Sequence, residues 1–167
     1  MRSIAQNVEP TISDLVQTIQ GYEGYRNREK FRQTERRLKN YLAERLRQVE
    51  TGLSEFEHRC YQQRKTSNLN SFNRISLSLK MLIQTLQEDA SDNNAIATTG
   101  IDEAQAAQLE QQDRQLVEQV NILSDEVQSL DDLNGEFEIE EMLNHLYDLL
   151  DGINQTLSER EFLMMSD

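Results

Sequence analysis

Tryptophan is absent from this chain, proline and cysteine each occur once, and aromatic residues make up only 6% of its 167 positions. One thiol, Cys60, cannot form an internal disulfide, and it cannot complete a cysteine-based zinc or redox motif. It reads as a buried, inert side chain. Nowhere do about eighteen apolar residues run together, and the opening from Met1 to Pro10 lacks the apolar stretch of a secretory signal. The chain therefore reads as cytosolic. Apolar residues reach 37%, below the share of an ordinary compact globule, while charged residues reach 28%. That balance suits elongated helices better than a sheet.

Basic residues are nearly missing from the second half. Residues 1–87 hold fifteen Lys and Arg against nine Asp and Glu, a net of +6, whereas residues 88–167 hold two against twenty-one, a net of −19. The total of −13 therefore hides two halves that attract each other. The plain reading is internal complementarity, and the sharper one is a basic surface kept for a partner.

What the sequence does have is helical periodicity, sharpening in four places to the 4-3 spacing of bundle seams. Leu42, Leu46, Val49, Leu53, Phe56 and Cys60 form the first seam. Leu69, Phe72, Ile75, Leu79, Leu82 and Leu86 form the second. The third runs through Leu109, Leu116, Val120, Leu123, Val127 and Leu130, with Asp113 in the place of one apolar residue. Ile139, Leu143, Leu146, Leu150, Ile153 and Leu157 form the fourth. The chain is predicted to be all-α, an elongated antiparallel bundle of four-helix type in one domain. Its long helices are expected over 25–64, 68–88, 102–130 and 136–163, after a short leading helix over 11–20 that carries Ile12, Leu15, Val16 and Ile19.

The breaks are legible as well. Lys65-Thr66-Ser67-Asn68 and Asp131-Asp132-Leu133-Asn134-Gly135 are turns short enough to force antiparallel neighbours. Residues 89–101, small and polar, read as a mobile loop and the first site of proteolysis. A helix over 25–64 would be about 60 Å long, against about 30 Å for the next one, at about 1.5 Å per residue. It is expected either to bend near Thr51-Gly52 or to overhang. Carried backwards, the first seam falls on Glu35, Arg32 and Arg28, so the overhang has no apolar core of its own.

Gly21-Tyr22-Glu23-Gly24-Tyr25-Arg26, followed by Glu29, Arg32, Glu35, Leu38 and Leu42, resembles a group of uncharacterised bacterial and archaeal helical proteins. These share a Gly-Tyr-x-Gly-Tyr opening and a basic helix behind it. The resemblance spans about residues 20–46 and implies helical structure in a nonsecreted protein. It implies no activity, and the further aromatic-glycine segment often found in such chains has no counterpart here.

Motifs that carry chemistry are sparse. Glu55 and His58 have the Glu-x-x-His spacing of di-iron bundles, but the motif is not repeated and the seam phase turns both residues outward. Residues 130–141 overlay a calcium-binding EF-hand loop, with Asp132, Asn134 and Glu141 at ligand positions, yet Leu130 stands where the first oxygen ligand belongs. A turn that places acidic residues at the start of the next helix explains the same residues. His145 with Glu141 and Asp148 makes a weak candidate for a divalent ion. No cofactor is predicted, and phosphate-binding loops and nucleophile motifs are missing, so the chain is not expected to be an enzyme.

The basic helix remains. Arg28, Arg32 and Arg36 share a face, with Arg37 and Lys39 nearby and Tyr22, Tyr25, Phe31 and Tyr41 as aromatic neighbours. The expectation is a non-enzymatic scaffold, adaptor or assembly factor that binds a protein partner, or forms a homo-oligomer, through residues 22–41. Nucleic acid or an anionic membrane surface is the alternative for this segment, and metal binding through the acidic turn is a third reading.

Overall fold

The computed structural model of the protein describes residues 10–91 and 102–165. It is all α, with five helices and no strand among the described residues. A short α1 spans Pro10–Thr18, and a 3-10 turn at Arg28–Lys30 leads into α2, Phe31–Gln62. Then come α3, Leu69–Ser91, and α4, Glu103–Gln128. A second 3-10 turn, Ser129–Asp132, precedes α5, Glu136–Met165. Among the described residues no helix is long and apolar enough to cross a membrane.

Two tight turns make antiparallel hairpins of α2 with α3 and of α4 with α5. The hairpins dock so that α2 lies along α4 and α3 along α5, while α1 packs on α4. Around the bundle the order is thus α2, α3, α5, α4, and α2 and α5 stand at diagonal corners. The first, third and fourth seams fill the centre between them. Their apolar members are buried, apart from Leu157, which is half-buried. Leu69 departs from the second seam: as the first residue of α3 it lies at the bundle end and is exposed.

Capping fixes the helix ends. Asp102 accepts the Gln105 amide at 2.7 Å while the Gln105 side chain accepts from the Asp102 amide at 3.1 Å, a reciprocal pair that satisfies two orphan donors. At the turn end, Lys65 Nζ donates to the Asn134 carbonyl at 2.6 Å and Ser67 Oγ to Glu136 at 2.6 Å, tying one turn to the other. The loop expected over 89–101 lies mostly outside the described residues, since α3 continues to Ser91.

The expected 25–64 helix is corrected at its start. Helix α2 has 32 residues and α5 has 30, about 48 Å and 45 Å, so their lengths match. There is no overhang, and α2 runs unbroken through Thr51-Gly52. Residues 21–27 form a loop instead, because Gly21 and Gly24 take φ of +88° and +78°, the left-handed region that ends a helix and that side chains disfavour. Of the back-projected seam positions Glu35 is buried, but Arg32 and Arg28 are exposed, and Phe31 and Leu38 supply the apolar core instead.

Gly24 has a second constraint. A Cβ there would stand 2.6 Å from Glu110 Oε2 and 2.7 Å from Ile12 Cδ1, closer than such atoms approach. Gly24→Ala therefore combines backbone strain with a clash between α1 and α4. The expected loss is about 2 kcal/mol or more of unfolding free energy, read as a lower urea midpoint at unchanged slope.

Candidate functional site

The Gly-Tyr loop closes one end of the bundle by inserting its aromatic rings. Tyr22 and Tyr25 are both buried, their rings meet edge to face with centroids 6.0 Å apart, and Phe31 follows at 5.0 Å from Tyr25. The loop backbone is held from two sides. Gln33 Nε2 donates to the Gly21 carbonyl at 3.0 Å and the Glu23 amide donates to the buried Thr34 hydroxyl at 3.1 Å. From α4, Glu110 accepts the Tyr25 amide at 3.1 Å and pairs with Arg26 at 3.3 Å.

Beneath the rings lies a buried charge cluster. Arg160 of α5 is 1% exposed, Asp113 of α4 is 0% exposed, and Glu35 of α2 is 8% exposed. Arg160 Nε donates to Asp113 Oδ1 at 2.5 Å; its terminal nitrogens donate to the two Glu35 oxygens at 2.6 and 3.2 Å, a bidentate pair. Arg160 also donates to the Tyr25 hydroxyl at 2.5 Å, and its last N–H faces the Met164 sulfur at 4.0 Å. Both tyrosine hydroxyls donate to Asp113 Oδ2, Tyr22 at 2.8 Å and Tyr25 at 2.5 Å. All five N–H donors of the guanidinium are therefore engaged within the protein, leaving none for a ligand.

Charge balance explains the shifts. Burial alone pushes Glu35 up, but Arg160, the nearby Lys39 and the Arg160 hydrogen bonds together hold it below the usual glutamate value. Asp113 goes the other way, because burial outweighs the attraction of Arg160. Burial also raises both tyrosines well above their ordinary value near 10, with Asp113 adding to the rise. Burial tends to lower Arg160, yet Asp113 and Glu35 more than reverse it and hold it firmly charged.

The predicted contact residues are divided by this arrangement. Tyr22, Tyr25 and Phe31 are core, so their expected role as partner-contacting aromatics is corrected: left-handed glycines turn them inward. Lys39 is buried as well and balances the Glu35 charge. Arg28, Arg32, Arg36 and Arg37 are exposed, with Arg37 laid over Gly21, where a Cβ would meet its Nε at 2.7 Å. Among the described residues, Arg32 and Arg36 form no ion pair.

The metal candidates do not converge. Leu130 is fully buried, Asp131 is paired with Arg59, and the Asn134 carbonyl accepts from Lys65. Asp132 and Glu141 are exposed on the surface, as is Asp148, and His145 instead approaches Glu126 at 3.6 Å. Among the described residues no three His, Cys, Asp or Glu side chains group to hold a metal ion. Glu55 and His58 are both exposed, as the seam phase requires.

Comparison with protein-family models, curated proteins and solved structures finds no match for this chain. The Gly-Tyr-x-Gly-Tyr resemblance thus rests on the motif alone.

Sequence reading left Glu110 and Arg160 unnoticed. Arg160 stands three residues after Leu157, the next position of the fourth seam, and Asp113 interrupts the third. A cation and an anion at seam positions of two adjacent helices are the signal that they meet.

Two outcomes follow from the cluster. Arg160→Met strands two buried carboxylates and is expected to cost about 3–5 kcal/mol of stability by chemical denaturation, more than Asp113→Asn. The raised tyrosines keep their protons in the folded state, so their stabilisation is complete below pH 10 and is lost as pH rises from there toward the folded values. The expected fall is about 1.4 kcal/mol per pH unit for each tyrosine. Stability measured from pH 9 to 11 should decline less steeply in Tyr22→Phe than in the native chain.

Proposed function

We propose that this chain is a non-enzymatic protein-binding scaffold or adaptor whose contact is the arginine face at the start of α2. The carrying observation is that Arg32 and Arg36 are exposed on one helical face and form no ion pair among the described residues. The turns beneath them are fixed by Glu35 and Thr34, so the face is presented rigidly. A rigid cationic face loses little entropy on docking and favours an acidic protein surface. All five N–H donors of Arg160 are engaged within the protein, so its guanidinium offers no donor to a ligand and the exposed arginines of α2 are left for a contact.

The net charge of −13 repels a polyanion that comes within the Debye length, about 8 Å at physiological salt, and the repulsion grows with the number of charges the ligand brings inside that distance. An acidic protein segment of low total charge suffers less from this. The test is fluorescence anisotropy with a labelled glutamate-rich peptide and a labelled single-stranded oligonucleotide, on protein purified without nuclease. Binding of the peptide in preference to the oligonucleotide, weakened about tenfold or more in Arg32→Glu/Arg36→Glu at unchanged helicity, is expected. Preferential oligonucleotide binding, or an excess of 260 nm absorbance shed only in high salt, would make the face a nucleic-acid site instead.

A further inference from the structure

We infer that the partner of the arginine face is a second copy of this chain, docked by the outward face of its α5 in a head-to-tail contact. The inference rests on the protein-binding reading above and adds the identity of the partner. Residues 136–161 carry eight Asp and Glu against one Arg, and that one, Arg160, is buried. Glu141, Asp148 and Glu159 are exposed, and spacings of seven and eleven residues bring all three onto one stripe at 3.6 residues per turn. Among the described residues none of the three forms an ion pair.

The bundle keeps the two charged faces apart. Helix α2 packs against α3 and α4, and α5 packs against the same two, so the exposed faces of α2 and α5 point away from each other. Among the described residues, neutralisation of one of these two faces by the other within one molecule is geometrically closed. A second molecule supplies the missing charge at the same concentration as the first. Because each copy would use different surfaces on its two sides, the contact is heterologous, and growth does not stop at a dimer. At about 0.15 M salt the mutual repulsion of two chains of −13 is screened beyond about 8 Å, whereas ion pairs at contact distance persist; at 1 M salt, with a screening length of about 3 Å, they weaken as well.

Light scattering after size exclusion, over a concentration series at both salt levels, tests this. The native chain should show a mass rising above 19.5 kDa with concentration at the lower salt and returning to it at the higher. Arg32→Gln/Arg36→Gln and Asp148→Asn/Glu159→Gln, each with unchanged circular dichroism, should remain single chains. Mixed, they should form a one-to-one complex that grows no further, since only one competent face of each kind remains. A native chain of constant mass, or variants that still associate alone, would overturn the inference. If the native mass is constant while the glutamate-rich peptide still binds Arg32 and Arg36, the self-docking inference fails and the protein-binding reading stands; loss of both ends the reading itself.

Discussion

The structure turns on one buried cation. Arg160 sits where a leucine would continue the fourth seam, and taking a guanidinium out of water costs several kcal/mol unless its charge and its donors are met. Glu35 from α2 and Asp113 from α4 meet the charge, while Tyr25 and Met164 take the remaining N–H groups. Leucine seams by themselves tolerate a shift of one heptad, because each layer resembles the next. A guanidinium that must face two particular carboxylates allows one register. Three helices are thereby aligned by one side chain.

The loop at 21–27 depends on the same cluster. Asp113 accepts both tyrosine hydroxyls on the oxygen that Arg160 leaves open, so Tyr22 and Tyr25 can bury their rings without leaving a hydroxyl unsatisfied. The glycines answer a different demand. At Gly21 the chain must pass under Arg37, and at Gly24 it must pass between Ile12 and Glu110, in a backbone conformation that β-carbons oppose. The Gly-Tyr-x-Gly-Tyr string is therefore a plug, with glycines to turn the chain and tyrosines to fill the end of the bundle. Its specificity as a sequence pattern comes from packing and hydrogen bonding.

Most of the fold was legible because periodicity and turn chemistry report local structure. The 4-3 seams identified the buried face of each long helix, and Asp131 to Gly135 marked the last turn. The errors share one cause. Reading Tyr25 to Arg64 as one helix treated the tyrosines and arginines of residues 22–41 as a single amphipathic surface, whereas the left-handed glycines cut that segment and changed its phase. Glu35 and Arg160 fall at seam positions, but the partners that let them be buried lie 47 to 125 residues away, and no local pattern names those partners. Asp113, placed among valines and leucines, carried the plainest anomaly within its own helix.

The surface follows from the interior. Helix α5 contains a single Lys or Arg, and the core claims it; what remains outside is a face whose charged members are acids and one histidine. Helix α2 shows the converse, since its buried Glu35 withdraws an anion from the segment between Arg26 and Lys39 and leaves its exterior arginine-rich. The ion pair that joins α2 to α5 across the centre of the bundle therefore takes the minority charge from each helix. Internal neutralisation and external polarity are two results of the same pairing: the interaction that sets the register of the bundle also leaves opposite charges on its diagonal corners.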